Sequence, residues 1–440
     1  MAVKFGTDGV RGVANVDLTP EVVLALGRAT ARVLGVHDFL VARDTRVSSP
    51  VLSAAVTTGL AAEGATVTDL GVLPTPGLAR LAAERGVPAV MISASHNPYP
   101  DNGVKVFGPG GRKLSDDIEA RIAAAVDEPG RDGPVGHVES EVVDDWYVDQ
   151  LVGTLDGRSL DGVRVVLDCA CGAASFVGPR AFRAAGATVT VLHDEPGDGT
   201  RINAGCGSTH PESLQQAVVA NAADLGLAFD GDADRVLAVD ERGELIDGDQ
   251  IMAMCALDWR ERGRLHHDTV VVTVMTNLGF RLAMDEHRIA VVETNVGDRY
   301  VLEAMERGGY SLGGEQSGHI ILRDLATTGD GILTGLHLAD VVTRSGRPLS
   351  DLTGSAMTQL PQVLINVKVA DRNVLDGADA VWAEVAAVEA ELGETGRVLL
   401  RPSGTEPVVR VMVEAPAQAT ANAAANRLVA VLEAIASRKG

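Results

Sequence analysis

Residues 39–95 read FLVARDTRVSSPVLSAAVTTGLAAEGATVTDLGVLPTPGLARLAAERGVPAVMISAS, and the alternation inside this stretch decides the fold. Residues 39–42 form a short apolar run of strand type, 50–62 carry helical spacing, and 65–70 return as a strand. Residues 76–84 read as a second helix, and 88–92 as a third apolar run that stops abruptly at Ser93-Ala94-Ser95. Strands alternating with helices at this spacing build βαβ units around a mainly parallel sheet. In such open sheets the chemistry lies just beyond the carboxyl ends of the strands, and Ser95 falls there.

Working outward, the pattern restarts after Trp146 with strands at 163–168, 187–192 and 225–229 and a helix at 176–185. A third pass follows, with helices at 249–261, 278–287 and 299–307 and strands at 269–275 and 289–294. From about residue 365 the character changes to a long helix at 374–392, strands at 398–401 and 408–413, and a closing helix at 420–437. The expected fold is therefore α/β: three similar mixed α/β domains with mainly parallel sheets, over 1–157, 158–248 and 249–364, plus a C-terminal α+β domain over 365–440.

The 440 residues carry 38 basic and 60 acidic side chains, a formal net charge of −22, which disfavours nucleic acid and anionic lipid as partners. Aromatics make up only 3 % of a chain that is 46 % hydrophobic, so the cores must be built from Ala, Val, Leu and Ile. No apolar run reaches membrane-spanning length and the opening MAVKFGTDGVRG has no signal-peptide character. Cys169 and Cys171 could offer a metal pair, but no second Cys or His pair has ligand spacing, so the four cysteines read as reduced thiols of a cytoplasmic protein. His37, His193, His210, His266 and His267 read as surface or structural.

Four segments carry chemistry. In MISASHNPYPDNGVKV (91–106) Ser95 sits on a turn, and a tight turn at Asp101-Asn102-Gly103 returns the chain through Lys105. A capping hydroxyl is the plain alternative for Ser95; burial of Lys105 between Val104 and Val106 is expected to lower its pKa toward a range useful in proton transfer. In FDGDADR (229–235) Asp230, Asp232 and Asp234 alternate, so that an extended segment presents three carboxylates to one point. Oxygen-only ligands suit Mg²⁺; a calcium loop is disfavoured because Arg235 stands where the turn glycine belongs. In GGEQSGHI (313–320) Glu315, Ser317 and His319 alternate between glycines and offer the groups that hold sugar hydroxyls. In RPSGTEP (401–407) Arg401, Ser403, Gly404 and Thr405, with Arg410 beyond, make a phosphate cradle, or else a hairpin turn with a neutralising arginine. Arg11 in FGTDGVRG and Arg43 and Arg46 in ARDTR read as further anion contacts.

Taken together and in this order, ASHNPYPDNGVK, DGDADR, GEQSGH and RPSGTEP resemble the α-D-phosphohexomutases over essentially the full length. Gln316 and the opening FGTDGVRG are most similar to the bacterial phosphoglucosamine mutase branch. The resemblance implies four domains around a central cleft, a phosphoryl group carried on Ser95, and one Mg²⁺ held by Asp230, Asp232, Asp234 and the phosphoserine. It implies sugar contacts at Glu315 and Ser317, and a cradle at Arg401, Ser403, Gly404 and Thr405 for the phosphate not being transferred. Lys105 and His319 match positions of acid/base or orienting work, alongside Arg11 and Arg235. The implied reaction is the exchange of glucosamine 6-phosphate and glucosamine 1-phosphate through a bound glucosamine 1,6-bisphosphate, feeding UDP-N-acetylglucosamine and cell-wall synthesis. The expected partner is a small phosphosugar, with a homodimer as the assembly and neither nucleic acid nor membrane. A phosphoglucomutase or phosphomannomutase, a Mg²⁺-dependent sugar phosphatase and a non-catalytic phosphosugar-binding regulator are the alternatives.

Overall fold

The computed structural model describes residues 3–6, 8–369, 374–402 and 407–439. The chain divides into two compact units, Met1–Met275 with Arg288–Ala356 and Thr276–His287 with Met357–Gly440. In the first unit the strands build three sheets, each with a parallel centre. Residues 39–95 supply the centre of the first. Asp38–Arg43 lies parallel to Thr66–Val72 on one side and to Ala89–Ile92 on the other. The crossovers are the helices Ser49–Ala62 and Thr75–Arg85. Each starts with a proline in its first turn, where the missing N–H costs nothing, and the second is closed by Gly86 at a left-handed φ of 67°. All four residues of Ala89–Ile92 are buried, as a central strand requires.

The second sheet centres on Arg164–Asp168, parallel to Thr188–Leu192 and Leu225–Phe229. The third centres on Thr269–Thr273, parallel to Ala290–Thr294 and Leu312–Gly314. One device recurs in all three. A strand at one side of the parallel set leads into a short loop, and the chain comes back as an antiparallel neighbour. Ala89–Ile92 is followed by Asp101–Gly108, Leu225–Phe229 by Val236–Asp240, and Leu312–Gly314 by Ile320–Leu322. The loops so pinned are 93–100, 230–235 and 315–319, which are the three motif segments. The return through Lys105 is as expected from sequence; the returns at Val236–Asp240 and Ile320–Leu322 were not anticipated. The sheets are accordingly mixed, parallel at their centres and antiparallel at one side.

The second unit is an antiparallel sheet in the order Gln362–Lys368, Val408–Glu414, Arg397–Pro402. Its core joins Val409, Val411 and Val413 to Ala421, Ala425, Leu428 and Leu432 of the closing helix Gln418–Lys439. Two expectations need correction. The strand Gln362–Lys368 was missed, because most of its side chains are half-exposed or exposed and its alternation is weak. The helix expected from residue 374 begins at Asp379, because Gly377 takes a φ of 68° and breaks it. The helix Leu278–Glu286 counts with this unit: the Leu278 N–H donates to Glu414 Oε2, and the Asn277 side chain exchanges hydrogen bonds with the Leu360 backbone. Among the described residues no helix is long and apolar enough to cross a membrane.

Candidate active site

Ser95 is buried and adopts a left-handed φ of 55°, a conformation that costs a non-glycine residue about 1 kcal/mol or more and persists only when its surroundings impose it. Those surroundings are polar and complete. The Ser95 N–H donates to Ser93 Oγ at 2.9 Å. The Ser95 carbonyl accepts from Arg46 Nη2 at 2.8 Å and from Asn203 Nδ2 at 2.9 Å. Arg46 was expected to meet an external anion, and the structure overturns that reading. Its side chain is fully buried, and all five N–H groups of the guanidinium are used within the protein. They reach Asp44 Oδ2 (2.8 Å) and the carbonyls of Pro98 (2.6 Å), Asp101 (3.1 Å), Ser95 and Asn97 (2.9 Å). Arg46 is thus the internal brace of the Ser95 turn, and Asp44, which also accepts from Ser49 Oγ and Ser93 Oγ, anchors it. Arg43, half-buried, makes one long bond, to the Asp44 carbonyl at 3.5 Å.

The Ser95 hydroxyl donates to Asp230 Oδ2 at 2.5 Å, joining the first hairpin loop to the second. The three carboxylates of the second loop each bring one oxygen into a set lying within 4.8 Å of one another. Their convergence does not come from an extended segment, as expected, but from a six-residue loop in which Ala233 adopts φ 58°. Gly231 lets the two loops touch, since a Cβ there would stand 2.7 Å from the Ser95 carbonyl oxygen. Asp232 Oδ2 accepts from Thr75 Oγ1 (2.6 Å) and Lys105 Nζ (2.8 Å), and Asp230 Oδ1 from the Arg235 N–H (3.2 Å). Oδ1 of Asp232 and Oδ1 of Asp234 are buried without a hydrogen-bond partner. Two orphaned carboxylate oxygens beside a third carboxylate and a hydroxyl are the donor set a Mg²⁺ ion takes. Burial, and then repulsion from Asp234 and Asp232, raises the Asp230 pKa well above the carboxylate range.

Lys105 behaves otherwise than expected. Burial alone would lower its pKa, but Asp232 (2.8 Å), Asp8 (3.0 Å) and Asp234 (3.4 Å) more than reverse that and raise it well above the ordinary lysine value. It is held as an ammonium. Asp8, in the same opening motif as Arg11, pairs with Lys105, Lys113 and Arg11 together. Arg11 also reaches Asn97 Oδ1 at 3.4 Å. Arg235 is drawn toward Asp234, Asp230 and Glu315, which raise its pKa against the effect of burial. His96, next to Ser95, is pushed down to about 4 by burial and by Arg235 and Arg11, so it is neutral at pH 7.

In the third loop Gly318 takes φ 89°, and a Cβ there would meet the Val236 carbonyl at 2.2 Å; the Val236 N–H donates to the Gly318 carbonyl, binding the third loop to the end of the second. Glu315 Oε1 accepts from the Gly297 N–H at 3.0 Å, and Ser317 Oγ is buried without a partner. His319 is buried, and its Nε2 accepts from the Gly329 N–H at 3.1 Å, which leaves the proton of the neutral ring on Nδ1, the nitrogen nearest Asp234. Burial opposes its charging, but Asp234, Asp298 and Glu315 outweigh it and raise the pKa. Gln316 donates to Asp247, the N-cap of the helix Gly248–Glu261, and so holds the loop.

In the second unit Arg401 and Arg410 stand directly opposite on neighbouring strands, with Asn366 in the same row. Three donor side chains in one row suit an anion. Ser403, Gly404 and Thr405 lie outside the described residues. The sequence reading missed Asp8, Asp44, Thr75 and Asn203. Asp8 and Asp44 stood inside segments already singled out, whereas nothing local marked Thr75 or Asn203.

Four family models match in order. They are phosphoglucomutase/phosphomannomutase alpha/beta/alpha domain I over 2–131, domain II over 145–243, domain III over 247–360, and the C-terminal domain over 364–431. The chain belongs to the phosphoglucomutase/phosphomannomutase family. Three motif loops of this phosphohexomutase thus come from three successive α/β domains. Among its relatives, the phosphoglucosamine mutase of Frankia alni is 55 % identical, covering 99 % of each chain. That of Corynebacterium aurimucosum is 52 % identical over 99 % of this chain and 100 % of its own. A crystal structure of a phosphoglucomutase/phosphomannomutase family protein from Burkholderia thailandensis aligns with a TM-score of 0.82 at 27 % identity, covering 98 % of this chain and 97 % of that one. The N-acetylphosphoglucosamine mutase of Aspergillus fumigatus, solved with GlcNAc-6P and magnesium, shares the fold with a TM-score of 0.72 at 20 % identity, over 99 % and 96 % of the two chains.

Proposed function

We propose that this phosphohexomutase interconverts glucosamine 6-phosphate and glucosamine 1-phosphate, carrying the phosphoryl group on Ser95. The observation that carries the chemistry is the 2.5 Å bond from Ser95 Oγ to Asp230, set beside two buried carboxylate oxygens that have no partner. Relatives at 52–55 % identity over nearly the whole chain, named phosphoglucosamine mutases, support the choice of sugar.

Asp230, Asp232, Asp234 and the Ser95 phosphate would hold Mg²⁺, which when bound offsets charge on the phosphoryl oxygens. The O–P bond at Ser95 breaks as a new one forms to the free hydroxyl of the sugar; that hydroxyl loses its proton and Ser95 Oγ gains one, which returns the serine to its hydroxyl form. The bisphosphate so formed turns end over end, and its other phosphate returns to Ser95 by the reverse step. A loose phosphoryl-transfer transition state asks mainly for positioning and positive charge. Lys105, fixed as an ammonium, supplies charge and a hydrogen bond and does not serve as the base in the resting geometry. Arg11 and Arg235 would face phosphoryl oxygens, and His319 would orient the substrate through its Nδ1 proton. Glu315 and Ser317 would hold sugar hydroxyls, Ser317 through an oxygen that has no partner within the protein. Arg401, Arg410 and the segment with Ser403, Gly404 and Thr405 would take the phosphate that is not being transferred.

The test is ³¹P NMR of glucosamine 6-phosphate with the Mg²⁺-loaded, Ser95-phosphorylated protein, compared with glucose and mannose phosphates. Glucosamine 1-phosphate should form with the highest kcat/KM, and Ser95→Ala should abolish it. Predominant release of free phosphate refutes the mutase, and a preference for glucose or mannose refutes the sugar.

A further inference from the structure

Beside the strand that leads to the acidic triplet, at the carboxyl ends of two neighbouring strands of the second sheet, stands a cluster of different chemistry. Asp168 ends the strand Arg164–Asp168, and His193 follows the parallel strand Thr188–Leu192. Cys206 arrives from a loop, and one ligand atom from each of Asp168, His193 and Cys206 lies within 4.8 Å of the others. Cys206 Sγ donates to the Arg201 carbonyl at 3.8 Å, and Cys171, three residues beyond Asp168, is a further buried thiol outside the converging set. Asp168, Cys171 and Cys206 are buried. His193 is about one-third exposed and leaves a way in.

His193 Nδ1 is the telling atom. It is buried and pairs with Asp168 Oδ2 at 3.1 Å, an oxygen that also accepts from the Gly207 N–H at 3.0 Å. Two ligands on one tetrahedral zinc, each about 2.0 Å from the metal, stand roughly 3.3 Å apart. A nitrogen and a carboxylate oxygen at that separation, with the Cys206 thiol within 4.8 Å of both, match an SNO donor set. Thiolate and imidazole ligands select zinc-class ions over magnesium. We infer that Asp168, His193 and Cys206 form a second metal site, taking one zinc-class divalent ion with a fourth position left open.

The site sits under the catalytic turn. Asn203, three residues before Cys206, donates to the carbonyls of Ser95 (2.9 Å) and Asn97 (3.1 Å), and the Ala173 N–H, two residues after Cys171, donates to the Gly231 carbonyl. An ion there ties the 203–206 segment to the ends of the strands Arg164–Asp168 and Thr188–Leu192, next to the two loops that meet at Ser95. The cysteine spacing conceals it, because its ligands come from three separate segments.

The experiment is an optical titration of the reduced full chain with Co²⁺, in excess Mg²⁺ to saturate the acidic triplet, followed by equilibrium dialysis against Zn²⁺ with elemental analysis. One equivalent should bind with a thiolate-to-cobalt charge-transfer band and the intense d–d bands of a tetrahedral site. His193→Ala, which alters a part-exposed ring, should weaken binding by more than about tenfold, and Cys206→Ser should remove the charge-transfer band. The inference is overturned if cobalt binds without that band, or if His193→Ala binds as the wild type does. It is also overturned if Cys171 and Cys206 form a disulfide while the reduced protein takes up no ion.

Discussion

Arg46 offers the sharpest test of how the Ser95 turn is held. Replacing it with Met keeps the volume of the stem but removes five donors at once. Asp44 is then left as a buried carboxylate with two hydroxyls and a backbone N–H, and four carbonyls lose their charged partner. Breaking a buried ion pair from one side typically costs about 3–5 kcal/mol, and that is the loss expected in urea unfolding of the first unit. Arg46→Lys keeps the charge but can make at most three of the five bonds, so it should fall between wild type and Arg46→Met. The double variant Asp44→Asn/Arg46→Met should be less destabilised than Arg46→Met alone, because no charge is stranded. Activity is the second readout. A turn displaced by about 1 Å costs on the order of a hundredfold in rate, so Arg46→Lys should lose kcat at nearly unchanged KM. If Arg46→Lys matched the wild type in both stability and kcat, the five-donor brace would not be what fixes Ser95.

Three further outcomes follow from the same geometry. Gly231→Ala should destabilise by about 1–3 kcal/mol and depress kcat more than its stability explains, because its Cβ would stand 2.7 Å from the Ser95 carbonyl; full activity would refute the close approach of the two loops. Asp330 caps the helix Gly331–Ser345 and accepts from the Tyr147 hydroxyl at 2.7 Å, and burial raises its pKa to about 6. A carboxyl with a raised folded-state pKa binds its proton more tightly when folded, so stability should fall by about 3 kcal/mol between roughly pH 4 and 6 and then level off. Asp330→Asn should flatten that step in pH-dependent denaturant melts; an unchanged step would assign it to other groups. If Arg401 takes the distal phosphate as proposed, Arg401→Lys gives up a bidentate fork worth about 1.5–3 kcal/mol and should raise KM for the phosphosugar about tenfold or more while leaving kcat within a few-fold; a selective loss of kcat would remove Arg401 from ground-state phosphate binding.

Much of this was legible in the sequence wherever the signal was local. The run at 88–92 ending in Ser93-Ala94-Ser95, and the alternation of Asp230, Asp232 and Asp234, each declare themselves within a few residues. What failed was anything depending on distant neighbours. Arg46 reads like a surface arginine beside a turn, and only the fold shows it enclosed by the carbonyls it holds. Lys105 was rightly placed in a buried strand, but its pKa moved opposite to expectation because Asp8, Asp232 and Asp234 converge on it from 97 to 129 positions away in the chain. The return strands Val236–Asp240 and Ile320–Leu322 are too short, and too close to polar loops, to stand out by periodicity. His193 has no local context at all, and its neighbours Asp168 and Cys206 arrive only through the second sheet.

The recurrence of one hairpin device in three sheets has a mechanical reason. A loop leading from a strand into a helix is fixed by backbone pairing on one side only. A loop between paired antiparallel strands is fixed on both, here by the register pairs Ile92 with Val104, Phe229 with Val236, and Gly314 with Ile320. The residues at the far ends of these loops inherit that precision. Lys105 follows Val104, Arg235 precedes Val236, and His319 precedes Ile320. Each loop is then bonded to the next, through Ser95 to Asp230 and through the Val236 N–H to the Gly318 carbonyl. Phosphoryl transfer is governed by position and charge more than by covalent chemistry. A site made of three doubly pinned loops meets that demand with short connections, and it explains why the positive φ at Ser95 can be sustained. The strain is borne by two sheets and one buried arginine.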